Sequence, residues 1–312
     1  MVASAAFDVD RILAGDLRAA AALMRALDDE LPGAHEALRA IYPHGGRAFV
    51  VGITGSPGVG KSTLVDALIT ATRARGERVA VVAIDPSSPF SGGALLGDRV
   101  RMQRHATDDG VFIRSLATRG QQGGLSRSTS AAVAVLDAVG FPVIFVETVG
   151  AGQAEVDVAD ATDAVVVVTA PGLGDEVQAL KAGLLEIADV LIVNKGDREG
   201  ADRALADLTN MLALGARAAP ELLRTIASSG QGMPEVVAAL AALRARPVAE
   251  REARRRRQAA RQVLSIAGER ARDRARAAIG SENAPGPLAA IVQDVAARTL
   301  DPWSAADALS KV

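Results

Sequence analysis

The sequence predicts an α/β chain with a mainly parallel sheet flanked by helices. Three observations carry that prediction. Apolar strand-like runs at 48–54, 79–84, 111–114, 143–147, 164–169, 190–194 and 222–226 alternate with helical stretches, as in a parallel sheet covered on both faces. The first run breaks into Gly55-Ser-Pro-Gly-Val-Gly60 and then Lys61-Ser62, matching G-x-x-x-x-G-K-[ST] between a strand and a helix. The sixth run ends in Asn194-Lys195-Gly-Asp197, an N-K-x-D pattern. The expected architecture is a P-loop NTPase domain over 46–245. An N-terminal helical segment (1–45) precedes it, and a C-terminal helical extension (246–312) follows.

Composition narrows the function classes. Of 312 residues 49 % are hydrophobic, ample for a core, while aromatics at 3 % leave few platforms for stacking bases. A net charge of −2 gives no global attraction to polyanions, so no nucleic-acid partner is expected. With no cysteine, disulfides, thiolate metal sites and cysteine nucleophiles are excluded. Asp8, Asp10 and Asp16 stand where a signal peptide would need an apolar core, and no stretch approaches a membrane span. The expectation is a soluble cytoplasmic protein with no membrane partner.

Residues 7–42 show Ile12, Leu13, Leu17, Ala20, Leu23, Met24 and Leu27 at helical spacing, broken at Pro32-Gly33. They read as a packing helix pair outside the nucleotide fold. Phe49 to Thr54 reads as a buried parallel strand, and the helix after it starts at Ser62. Between them the glycines let backbone N–H groups converge, and the helix N-terminus adds partial positive charge; together they suit a nucleotide's phosphates. Gly55, Pro57, Gly58, Val59, Gly60, Lys61, Ser62 and Thr63 are the expected contacts. Lys61 would reach the β- and γ-phosphates and the Ser62 hydroxyl would bind Mg²⁺.

Asp85 closes the second strand, as a turn former or as a magnesium ligand through water. Asp98 lies in a glycine-containing loop from which it could reach the metal. The basic run Arg99 to Arg104 reads as a solvated face, and Thr118 to Leu125 as a functional loop. Phe141-Pro-Val-Ile-Phe-Val-Glu147-Thr-Val-Gly150 is a hydrophobic strand ending in an acid, with glycine three residues on. P-loop enzymes place there the acid that organises Mg²⁺ and a γ-phosphate-sensing switch. Gln153 follows, a water-orienting candidate that spacing alone does not establish, and residues 171–181 form a second candidate switch.

The N-K-x-D pattern has specific chemistry. Asp197 can accept hydrogen bonds from guanine N1–H and the exocyclic amine, Lys195 can lay its stem along the base, and Asn194 can brace the loop and bond N7. Adenine would leave the carboxylate unpaired. Ala227 and Ser228, in the loop after the last strand, are placed to offer a backbone N–H to guanine O6. Beyond Arg246-Pro247, residues 250–278 form a charged helix, partner-facing or dimerising, with Val263, Leu264, Ile266 and Ala267 among its arginines. Residues 281–287 read as a linker and 288–312 as a further helical segment packed by the only Trp, Trp303.

These residues together resemble the MeaB/ArgK family, the GTPase chaperones of adenosylcobalamin-dependent acyl-CoA mutases. The resemblance spans nearly the whole chain. It rests on the P-loop, Ala83-Ile-Asp-Pro-Ser-Ser88, Leu96-Gly-Asp-Arg99, Thr118-Arg-Gly with Gly123-Gly-Leu125, Val146-Glu-Thr-Val-Gly150, Ala170-Pro-Gly-Leu-Gly-Asp175, Asn194-Lys-Gly-Asp197 and the ending Asp301-Pro-Trp-Ser-Ala-Ala-Asp. Gln121-Gln122 is a small departure. The resemblance implies Ser62, Asp85, Asp98 and Glu147 around Mg²⁺, with Lys61, Glu147 and Asp98 catalytic. It also implies Lys181 in a switch read by the mutase, and a homodimer formed through the C-terminal extension. The implied partner is a cobalamin-dependent acyl-CoA mutase, methylmalonyl-CoA mutase first. The implied job is to gate cofactor loading and to protect the enzyme, with GTP hydrolysis as the directional step. Turnover is expected to be slow alone and activated by the partner. Three rivals stand beside it. A metal-delivery GTPase is opposed by zero cysteines and scattered His35, His44 and His105. A kinase or transport-linked ATPase is opposed by N-K-x-D, and a non-hydrolysing scaffold by the acids at 85, 98 and 147.

Overall fold

The computed structural model describes residues 7–85, 103–105, 107–117, 127–148, 154–172, 182–213, 219–281 and 284–309. Seven strands form one sheet: β1 Phe49–Thr54, β2 Val79–Asp85, β3 Val111–Ala117, β4 Val143–Glu147, β5 Ala164–Thr169, β6 Val190–Val193 and β7 Glu221–Arg224. Their order is β3-β2-β4-β1-β5-β6-β7, and every neighbouring pair is parallel. The chain leaves β1 toward one edge, returns through β4 beside it, and continues to the other edge from β5. That reversal at β1 is the switch point where α/β sheets bind ligands, beyond the strands' carboxyl ends.

The strands read as unbroken apolar runs because both faces are buried. On one face Val50, Ala80, Val82, Ile144, Val146, Val165, Val167, Leu191 and Val193 join a core with the N-terminal helices and helix Arg127–Val139. On the other, Val51, Ile53, Val79, Val81, Phe145, Val166, Val168, Val190 and Ile192 pack on helices Lys61–Ala74 and Met233–Arg244. Alternate residues go to opposite faces, so a one-residue slip in register would exchange the two cores.

Residues 7–42 form three helices: Val9–Leu13, Leu17–Asp28 and Ala34–Ile41. The early acids are caps. Asp8 accepts from Arg11 N at 3.0 Å, and Asp16 from Arg18 N at 2.8 Å and Ala19 N at 3.1 Å. Buried Ile12, Leu23, Met24, Leu27 and Ile41 share the core of helix Arg127–Val139.

Carboxylates order the strand entrances. Asp163 accepts from Val50 N at 2.9 Å and Asp189 from Val165 N at 3.0 Å. Arginines hold both from outside: Arg255 reaches Asp163 at 3.3 Å, Arg246 reaches Asp189 at 3.1 Å and Arg254 reaches it at 2.9 Å.

Two compact units divide the chain, 1–255 and 256–312. Helix Val248–Ile279 runs across the division. In the second unit, two-residue strands β8 Gly280–Ser281 and β9 Ala284–Pro285 pair antiparallel where a linker was expected. Helices Ala290–Ala296 and Pro302–Leu309 follow. Trp303 corrects an expectation: it is 80 % exposed rather than an anchor of packing. Asp301 caps this helix by accepting from Trp303 N and Ser304 N, both at 3.0 Å, and Ala305 occupies the buried position. Among the described residues no helix is long and apolar enough to cross a membrane.

Candidate functional site

The P-loop follows β1 at the switch point. Gly55 has φ +138° and passes so near the Val168 carbonyl of β5 that a Cβ would overlap it. Gly60, φ +96°, caps helix Lys61–Ala74, and a Cβ there would strike the Asn194 side chain. Val59 between them is buried in the core and fixes the loop from below. Pro57, Gly58 and Thr63 are exposed. The Lys61 side chain is buried, and its Nζ donates to Gly55 O at 2.8 Å and Ser56 O at 3.0 Å. An ammonium held by carbonyls at the mouth of a helix N-terminus is poised to exchange them for phosphate oxygens.

Glu147 ends β4 beside Ile53 of β1 and Ala83 of β2. Its carboxylate is 2 % exposed, and Ser62 Oγ donates to Oε1 at 2.6 Å. Thus the two residues that the motifs assign to one ion stand in contact, although 85 positions separate them. A hydroxyl and a carboxylate are hard oxygen donors, the chemistry Mg²⁺ takes, with phosphates and water completing its shell. No group of three His, Cys, Asp or Glu able to hold a metal occurs among the described residues. Asp85 is the last residue of β2, two positions past Ala83, which pairs with Glu147. Its side chain, Asp98, residues 118–125, Gln153 and Lys181 lie outside what the structure describes.

Sequence reasoning assigned no role to Thr54 and Thr148. Both are buried, and Thr148 Oγ1 donates to Thr54 Oγ1 at 3.0 Å while Thr148 N donates to Ile53 O at 3.0 Å. They tie the ends of β1 and β4 together directly beneath the phosphate loop. A threonine closing each of two Val/Ile strands was the available signal.

The N-K-x-D loop is bound to the P-loop. Asn194 is buried; its Nδ2 donates to Val59 O at 2.9 Å, and its Oδ1 accepts from Thr225 Oγ1 at 3.0 Å and Ala227 N at 3.1 Å. Lys195 Nζ donates to Gly58 O at 2.5 Å. Lys195 has φ +55°, a left-handed turn that sends Asn194 inward and leaves Asp197 exposed. The Ala227 amide donates to Asn194, and Ser228 is exposed beside it. The arrangement joins a phosphate-binding turn to an exposed carboxylate that can read a base.

The profile of a family described as methylmalonyl Co-A mutase-associated GTPase MeaB matches residues 21–280. A Pyrococcus abyssi protein named as a GTPase is 46 % identical, over 97 % of this chain and 95 % of its own. The Mus musculus protein named methylmalonic aciduria type A homolog, mitochondrial, is 39 % identical over 60 % of this chain and 47 % of its own. In fold alone, a crystal structure described as an LAO/AO transport system kinase superposes with TM-score 0.71 at 24 % identity, over 97 % of this chain and 95 % of that one.

Proposed function

The chain belongs to the MeaB family of methylmalonyl-CoA mutase-associated GTPases, and on that premise we propose that it is a chaperone of an adenosylcobalamin-dependent acyl-CoA mutase, methylmalonyl-CoA mutase first. In this reading GTP hydrolysis drives the gating of cofactor loading and the protection or reactivation of the enzyme. The observation that supports it is the bridge from Asn194 to Val59 and from Lys195 to Gly58, which ties the N-K-x-D loop to the P-loop.

Asp197 accepts from guanine N1–H and the exocyclic amine, and the Lys195 stem covers the base. Ala227 and Ser228 line the O6 side. Lys61 exchanges the Gly55 and Ser56 carbonyls for β- and γ-phosphate oxygens, and the backbone N–H groups of Gly55 through Thr63, Pro57 excepted, hold the remainder. Ser62, Asp85, Asp98 and Glu147 would hold Mg²⁺, which would supply positive charge to offset that of the phosphates. Lys61, Glu147 and Asp98 then favour attack of water on the γ-phosphorus, releasing GDP and phosphate. Turnover is slow until the partner docks. Helix Val248–Ile279, with exposed Val263 and Leu264, supplies the surface for a homodimer.

The experiment is a binding titration of a cobalamin-dependent acyl-CoA mutase against this chain, loaded with GDP or with a non-hydrolysable GTP analogue. Affinity that differs between the two nucleotides supports the reading. No binding with either contradicts it.

A further inference from the structure

We propose that Arg224 is a positioning residue for base recognition, clamping the loop that carries Asp197; this rests on the guanine-nucleotide reading above. Arg224 ends β7, beside Val193 of β6, the residue before Asn194. Its guanidinium spreads over two acceptors. One arm donates to the Gly196 carbonyl, and the other meets Asp202 Oδ1 at 2.7 Å on helix Ala201–Ala213. Gly196 is also held at its other end, where its N–H donates to Thr225 O at 2.9 Å.

The loop needs such a clamp. Lys195 is a side-chain-bearing residue in the left-handed region, a conformation that persists only when its surroundings over-determine it. Asn194 is anchored on its inner side and Gly196 on its outer side, so the turn between them is fixed from both directions. Asp197 itself is exposed. Its aim is therefore set by the residue before it. Gly196 and Arg224 are mutually fitted as well: a Cβ at Gly196 would lie 2.6 Å from the Arg224 Cγ and Nε. The φ of Gly196 is not in the left-handed region, so alanine is open to the backbone there and is excluded only by the arginine.

The readout is discrimination between GDP and inosine diphosphate, which lacks only the exocyclic amine that Asp197 would accept from. Affinities for GDP, inosine diphosphate and ADP are measured by calorimetry for the full chain and for R224Q, G196A, the double variant and D202N. A well-aimed carboxylate penalises the missing donor, and a loosened one penalises it less. R224Q weakens GDP binding about tenfold and narrows the GDP to inosine diphosphate ratio at least about threefold. G196A, which displaces the same guanidinium, reproduces this, and the double variant is no worse than the worse single. D202N removes one arm of the fork and has the smaller effect. A ratio unchanged in both R224Q and G196A, with GDP still preferred to ADP, overturns the clamp and leaves the guanine reading standing. A full chain that does not prefer GDP to ADP overturns that reading, and the clamp with it.

Discussion

Asp197 is an exposed carboxylate at the end of a turn whose first residue, Asn194, is buried and engaged at both ends of its amide. A carboxylate accepts two hydrogen bonds from guanine, whereas an amide at the same place can donate to the 2-oxo group of xanthine. D197N should therefore lose GDP affinity by about 3 kcal/mol and gain preference for xanthosine diphosphate, read by competition between the two. An unchanged GDP to xanthosine diphosphate ratio would place the base elsewhere. Glu147 makes a second test. Removing its charge beside Ser62 in E147Q should raise the Mg²⁺ concentration needed for half-maximal hydrolysis about tenfold or more, with Mg²⁺-free GDP affinity little changed. The motif residues at this scale were legible because their chemistry repeats at fixed spacing. Thr54, Thr148 and Arg224 were not, since each acts through a partner that only the sheet order brings near.

Strands were the most legible elements. Runs expected at 143–147 and 164–169 occur at those bounds, because a strand buried on both faces carries an apolar signal from end to end. Helix divisions in 7–42 were harder, since Asp16 and Gly33 punctuate without interrupting the helical spacing. One inter-element tie gives a pH prediction. Arg73, in the last turn of helix Lys61–Ala74, grips Asp108 ahead of β3 with Nε at 2.8 Å and another nitrogen at 2.9 Å. The Arg73 hydrogen bond, helped by the Gly110 amide, holds the Asp108 carboxyl below its ordinary value of 3.8. A depressed carboxyl contributes stability above its unfolded-state value, and that contribution is lost as pH falls through the lowered folded-state value. D108N should thus melt below the unmodified chain at pH 7, and the gap should close in strongly acidic buffer. A gap independent of pH would mean that the ion pair is not its source.

For the whole molecule, the seven-stranded sheet brings Lys61, Glu147 and Asn194 to the carboxyl ends of its strands, while the long C-terminal helix offers apolar residues to solvent. Adjacent Val263 and Leu264, 66 % and 72 % exposed on an otherwise arginine-rich helix, are the residues a homodimer would cover. V263K/L264K should sediment as a monomer where the unmodified chain sediments as a dimer, with GDP affinity preserved. Equal sedimentation would remove this helix as the dimer surface. The fold was legible here because periodicity and two motifs agreed. The exposed Trp303 was misread because apolar size was taken for burial. The most direct test of the central claim is Mg²⁺-dependent GTP turnover with and without a cobalamin-dependent acyl-CoA mutase, with ATP alongside. Slow GTP hydrolysis that rises clearly with the mutase, and negligible use of ATP, is the predicted result. Turnover indifferent to the mutase, or ATP used as readily as GTP, would contradict it.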